Sequence, residues 1–229
     1  MSSAPSSAVE RPSHAQKRVA VLVSGSGSNM VALAKACEAE DYPAEIVAVF
    51  SDKPEAGGLV KARDLGIFAA AFPRKDYASK ADHEAAILAA LDQVQPDLIC
   101  LAGYMRLLSG DFIRRYQGRI LNIHPSLLPL FPGLHTHQRA LDAGMKIAGC
   151  TVHFVTEGMD EGPIVAQAAV PVLPTDTADA LAARTLTVEH RIYPVALQLV
   201  AGGTVTMLED GRIERSGFVA DAEAQLLSA

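Results

Sequence analysis

Five short apolar runs, separated by stretches of helical spacing, constrain the fold of this chain more than any other feature. They are residues 18–24 (RVAVLVS), 45–51 (EIVAVFS), 68–72 (FAAAF), 97–103 (DLICLAG) and 119–123 (RILNI). Continuous valine-rich runs without polar alternation suit strands buried on both faces. Between them, residues 30–40 and 57–66 read as helices, as does 76–94, which closes before Pro96. Strand–helix alternation predicts an α/β fold with a Rossmann-like, mostly parallel twisted sheet flanked by helices. Right-handed crossovers then place the C-terminal ends of these strands on one edge.

The pattern changes after Pro125. Residues 146–155 and 163–172 are joined by TEGMDEG, which predicts an antiparallel hairpin as a C-terminal extension of the sheet. Residues 175–200 read as a final helix, expected to kink or split at Pro194. Residues 202–229 stay open between irregular chain and a short hairpin around Asp210-Gly211. The Ser/Ala/Pro-rich residues 1–17 are expected to be a disordered tail, leaving 18–229 as a single domain.

Composition narrows the function classes. A net charge of -6 argues against a nucleic-acid surface, which needs a basic stripe. The 3 cysteines are widely spaced with no C-x-x-C pair, as expected for reduced thiols in a cytoplasmic protein. No run approaches the ~18 apolar residues of a membrane span. A homodimer is compatible with the sequence and not required by it.

Three stretches carry chemistry. SGSGSN (residues 24–29) lies between the first strand and a helix, where free backbone N–H groups and the helix dipole attract an anion. Gly25 and Gly27 allow close approach of a ligand; the third glycine of a dinucleotide fingerprint is replaced by Met30. A tight turn with a capping serine is the plain alternative. In ILNIHPSLLPLFPGLHTH, Asn122 and His124 end the fifth strand and share one face by alternation. An amide that donates to an oxyanion and an imidazole that moves protons then meet where open α/β sheets bind ligands. Asp160 is by default a solvated turn residue, yet its turn could bring a carboxylate to that imidazole. Glu189 falls on or beside an inward stripe of Leu181, Thr185, Val188 and Ile192, where a carboxylate needs a partner or a ligand. His135 and His137 are expected to open a helix running to Gly144, and His153 to be an ordinary half-buried strand residue. No H-x-x-x-H pair favours zinc, and no metal is expected.

Together SGSGSN, LAGYMRLLS, LNIHPSLLPLFPGLHTH, TVHFVTEGMDEGP and VEHRIYP closely resemble the phosphoribosylglycinamide formyltransferases, folate-dependent enzymes of purine biosynthesis. The resemblance runs from about Arg18 to the end of the final helix. It implies transfer of a formyl group from 10-formyltetrahydrofolate, as co-substrate, to the amine of glycinamide ribonucleotide. It further implies Asn122, His124 and Asp160 as the catalytic trio, stabilising the tetrahedral oxyanion and relaying the proton. Gly27, Ser28 and Asn29 would bind the ribonucleotide phosphate and Glu189 its ribose. Met105, Arg106, Leu107 and Leu108, with Asn122, would line the folate pocket; Lys80 stands where many relatives have an arginine. The N-terminal half would thus bind phosphate and the C-terminal half would hold folate and catalysis. Methionyl-tRNA formyltransferases would have Arg-Gly at Pro132-Gly133 and a further C-terminal domain. Formyltetrahydrofolate deformylases would carry an N-terminal regulatory domain. Without the resemblance, an NAD-dependent oxidoreductase is the alternative, supported by the glycine loop and by Asp52 after the second strand. A non-catalytic ligand-binding module is a third reading, though it has no need of Asn122 beside His124.

Overall fold

The computed structural model describes residues 16–217. Strands β1 (Lys17–Val23), β2 (Ala44–Ser51), β3 (Ala69–Ala71), β4 (Leu98–Leu101) and β5 (Ile120–His124) pair in parallel. Strands β6 (Ile147–Phe154) and β7 (Ile164–Pro171) extend the sheet antiparallel. The order is β3-β2-β1-β4-β5-β6-β7. The chain steps outward in opposite directions from β1 and β4, so a crevice opens at their C-terminal ends.

Alternation along β1 explains the layering. Val19, Val21 and Val23 enter one core with Met30 and Leu33 of α1 (Ser28–Ala36), Leu59 of α2 (Gly57–Asp64) and Tyr193 of α6 (Ala178–Ala201). Ala20 and Leu22 enter the other, against Ile87 and Leu91 of α3 (Lys80–Val94) and Phe112 of α4 (Gly110–Arg115). Residues 19–23 are all 0 % exposed, as a strand covered on both faces requires.

Several boundaries differ from expectation. Helix α3 begins at Lys80, because Ser79 Oγ accepts from Asp82 N and caps it; Arg74–Asp76 forms a separate 3-10 turn. Helix α6 is not split: it runs unbroken through Pro194. Its buried face is Leu181, Thr185, Glu189, Tyr193 and Leu197, with Val188 and Ile192 at the half-buried margin. The short α4 was not expected. Helix α1 starts two residues before the expected Met30, and β1 starts at Lys17, ahead of the expected domain edge. The last segment forms an antiparallel hairpin, β8 (Val205–Met207) and β9 (Ile213–Arg215), with Gly211 at φ 82°. Of the tail expected over residues 1–17, Lys17 belongs to β1, while residues 1–15, like the end of the chain, 218–229, lie outside the described residues.

Candidate active site

The glycine loop turns β1 into α1 at the crevice. Gly27 is the residue preceding the helix, at φ 72°, and a Cβ there would stand 2.4 Å from Gly58 Cα. Glycine is thus demanded by backbone handedness and by the start of α2, not by a ligand. A Cβ on Gly25 would meet nothing within 4 Å, so Gly25 is the glycine that leaves room above the loop. The first N–H groups of α1 lack intrahelical partners and form the positive end of its dipole. A cavity of about 340 Å³ opens here, lined by residues 24–29 with Lys53, Gly103 and Met105. Lys53 is a cation that the sequence reading missed.

Asn29 also reaches across to α6: its Nδ2 donates to Glu189 Oε2 at 2.7 Å. Glu189 is buried, and burial pushes its carboxyl above the usual range, partly offset by the Asn29 bond and the field of His124. Of the two placements that the spacing allowed, on the stripe or beside it, Glu189 takes the first.

Strand register assembles the rest. In the β5–β6 pairing Asn122 lies opposite His153. His153 Nδ1 faces the Phe154 carbonyl at 2.9 Å and so carries the ring proton; Nε2 is left to accept from Asn122 Nδ2 at 3.1 Å. Burial lowers the His153 pKa and keeps the ring neutral. One amide hydrogen of Asn122 remains for another acceptor. His153 is therefore not the half-buried bystander expected, but a 3 % exposed part of the cluster.

His124 is equally buried, and its Nε2 donates to Phe131 O at 3.0 Å. Asp160, at φ 55°, accepts from Gly133 N through Oδ2 at 2.8 Å. That same Oδ2 lies 3.4 Å from His124 Nδ1, while Oδ1 lies 3.8 Å from His153 Nε2. The turn does bring the carboxylate to the imidazole. The proline-rich loop after His124 is pinned by Thr151, whose Oγ1 donates to Ser126 O at 2.7 Å and accepts from Leu128 N at 3.0 Å. Helix α5 (Thr136–Asp142) follows, with His135 preceding it at φ 57°. His137 lines the site with a buried Nε2 that has no hydrogen-bond partner among the described residues. Among the described residues no group of three or more His, Cys, Asp or Glu is placed to hold a metal ion.

The cavities form one trench. From the glycine loop it continues through Asn29, Gly103 and Met105 into a space of about 540 Å³ that holds His124, His137 and Glu189. Across Tyr104, Asn122 and Asp160 that space meets a cleft of about 350 Å³ lined by Lys80, Arg106, Leu108 and His153. Met105, Leu107, Leu134 and Met159 stand more than half exposed around the middle, an apolar rim suited to a ring. Lys80 sits at the outer end, 3.6 Å from Glu84, which also accepts from Ser109 N. A larger groove, about 740 Å³, lies between α1 and α2 beside His190 and contains none of the trio.

A trench with a glycine loop and a helix N-terminus at one end, an apolar cleft at the other and an amide–imidazole–carboxylate cluster between them suits group transfer between two small molecules. It does not suit a nicotinamide: both oxygens of Asp52, the carboxylate that would take a ribose, are already bonded to Ser24 and Arg106. Comparison with known proteins agrees. The formyl transferase family matches residues 17–197, and the chain belongs to it. The phosphoribosylglycinamide formyltransferase of Escherichia coli is 43% identical over 209 residues, 89% of this chain and 99% of that protein. The Bos taurus trifunctional purine biosynthetic protein adenosine-3 is 48% identical over 86% of this chain, which spans only 19% of that longer protein. The crystal structure of phosphoribosylglycinamide formyltransferase from Brucella melitensis superposes with a TM-score of 0.79 at 71% identity, covering 82% of this chain and 97% of that one.

Proposed function

We propose that the protein transfers the formyl group of 10-formyltetrahydrofolate to the amine of glycinamide ribonucleotide, as a cytoplasmic enzyme of purine biosynthesis. The observation that carries this is the continuous trench with Asn122, His124 and Asp160 at its midpoint. The ribonucleotide lies with its phosphate on the N–H groups of Gly27, Ser28 and Asn29 and its ribose against Glu189. The pteridine enters beside Met105, Arg106, Leu107 and Leu108, and Lys80 meets the acidic tail.

The amine nitrogen attacks the formyl carbon, and the carbonyl oxygen takes up negative charge. The amide hydrogen of Asn122 that His153 leaves unused donates to that oxygen, and protonated His124 supplies positive charge beside it. The attacking nitrogen must lose a proton, and the folate N10 must gain one as its bond to the formyl carbon breaks. His124 Nδ1, beside Asp160, hands its proton to N10 as that bond breaks, and the emptied Nδ1 then takes the proton of the attacking nitrogen, which restores the starting state. Because Nε2 is tied to Phe131 O, Nδ1 is the nitrogen that exchanges the proton. The test is to incubate the purified protein with both substrates and look for formylglycinamide ribonucleotide by mass. Absence of product from folded protein that binds both substrates would overturn the reading.

A further inference from the structure

Asp52 takes no part in the chemistry above, yet its buried carboxylate joins the two halves of the trench. Its side chain is 1% exposed. Ser24, the first residue of the glycine loop, donates its hydroxyl to Oδ1 at 2.5 Å. Arg106, in the folate-side segment, donates Nε to Oδ2 at 2.7 Å. The same Ser24 oxygen accepts from Met105 N at 2.9 Å, and Ser24 N donates to Gly103 O at 3.1 Å. The hydroxyl has one proton, and Asp52 takes it, so a lone pair is left facing Met105 N–H. Burial pushes the Tyr104 phenol pKa up, and the charge of Asp52 adds to this, as expected for a segment packed against the carboxylate.

Each of the two loops therefore holds the other through one anion. We infer that Asp52 is a positioning residue that couples the two substrate sites: a phosphate settling on the glycine loop fixes Ser24, and through Asp52 fixes Met105 and Arg106 for the folate. By linkage the coupling is reciprocal, so a bound folate tightens the ribonucleotide by the same factor. This inference rests on the formyl-transfer reading of the trench.

Asp52→Asn is the discriminating change. Asparagine can still accept from Ser24 through Oδ1, but its amide then meets Arg106 Nε donor to donor. Ser24→Ala is the companion, removing the hydroxyl and leaving Met105 N–H without its acceptor. The measurement is calorimetric titration of a folate analogue lacking the formyl group, with and without saturating glycinamide ribonucleotide, in all three proteins. In the parent, the ribonucleotide should tighten the analogue about fivefold or more, the lower end of common coupling factors. In Asp52→Asn that factor should fall below about twofold, while the affinity for the ribonucleotide alone stays within about twofold of the parent, because the loop N–H groups are unchanged. A purely structural clip would weaken both ligands together and leave the coupling factor as it was. A parent without coupling, or an Asp52→Asn protein that keeps it, overturns the inference; if Asp52→Asn does not fold, the same comparison in Ser24→Ala decides. A parent protein that binds neither ligand would instead overturn the formyl-transfer reading.

Discussion

Replacing Glu189 by glutamine isolates the one charge assigned to the ribose. Glutamine keeps an oxygen for the 2.7 Å bond from Asn29, so the link between α1 and α6 survives. What is lost is the negative charge and one acceptor on the cavity side. Hydrogen bonds to a charged group contribute about 1.5–3 kcal/mol, which is about 10- to 150-fold in affinity. We expect kcat/KM for the ribonucleotide to fall by that factor, mostly through KM, with the folate KM within about twofold of the parent. Stability should move the other way. Burial raises the Glu189 pKa above its unfolded value. The native state then holds its proton longer, so the stabilisation is full below the unfolded pKa and is lost as pH rises through the folded pKa. At neutral pH the parent carries that cost and the variant does not. The variant should melt at or above the parent temperature, and the difference should shrink as pH falls through the carboxylate range. Steady-state kinetics with both substrates, and melts from neutral to acid pH, check both halves. An unchanged ribonucleotide KM refutes the ribose assignment; a lower melting temperature at pH 7 refutes the electrostatic argument.

Three further changes probe the frame. Gly27→Ala forces a Cβ to within 2.4 Å of Gly58 Cα at positive φ, so it should destabilise by at least the ~1–2 kcal/mol of a left-handed non-glycine residue. Gly25→Ala meets nothing, should leave the melt within about 0.5 kcal/mol, and should raise the ribonucleotide KM alone; thermal melts and kinetics on the pair separate fold from approach. Thr151→Val strips Leu128 N and Gln167 Nε2 of an acceptor and should cost about 1–3 kcal/mol, or about 2–12 °C in Tm. Because the loop it pins carries the Phe131 carbonyl that holds His124, kcat should drop more than either KM changes.

Much of the site was legible because local chemistry and strand period suffice for it. The run RVAVLVS implies a strand buried on both faces, and the spacing of Asn122 and His124 places them on one side whatever surrounds them. Other features depend on register. His153 becomes a partner of Asn122 only because β6 returns antiparallel with that pairing, which no local pattern in TVHFV reveals. That position 27 must be glycine for the fold was not legible, because the approach of Gly58 is long-range. Helix α4 is only 6 residues, too short for periodicity, and is marked in the sequence just by its Ser109 cap. The face of α6 was legible only to within a residue: whether Glu189 lay on the stripe or beside it is decided by its contact with Asn29, far away in sequence. Asp52 shows the limit most clearly: after a second strand it suggests a ribose acceptor, and only the folded contacts with Ser24 and Arg106 assign it elsewhere.

The central claim is that Asn122, His124 and Asp160 work as one unit, and a double-mutant cycle on kcat tests it most directly. Asp160 lies 3.4 Å from His124 Nδ1 and also holds Gly133 N, so Asp160→Asn preserves shape while removing the charge behind the imidazole. Asp160→Asn and His124→Ala should each lower kcat by orders of magnitude while both substrates still bind, since the interaction matters in the transition state. Together they should cost far less than the sum of the single losses in activation free energy, with thermal melts confirming that every variant folds. Strictly additive losses, or an Asp160→Asn protein with parental turnover, would contradict the account and reduce Asp160 to the turn residue it resembles in sequence.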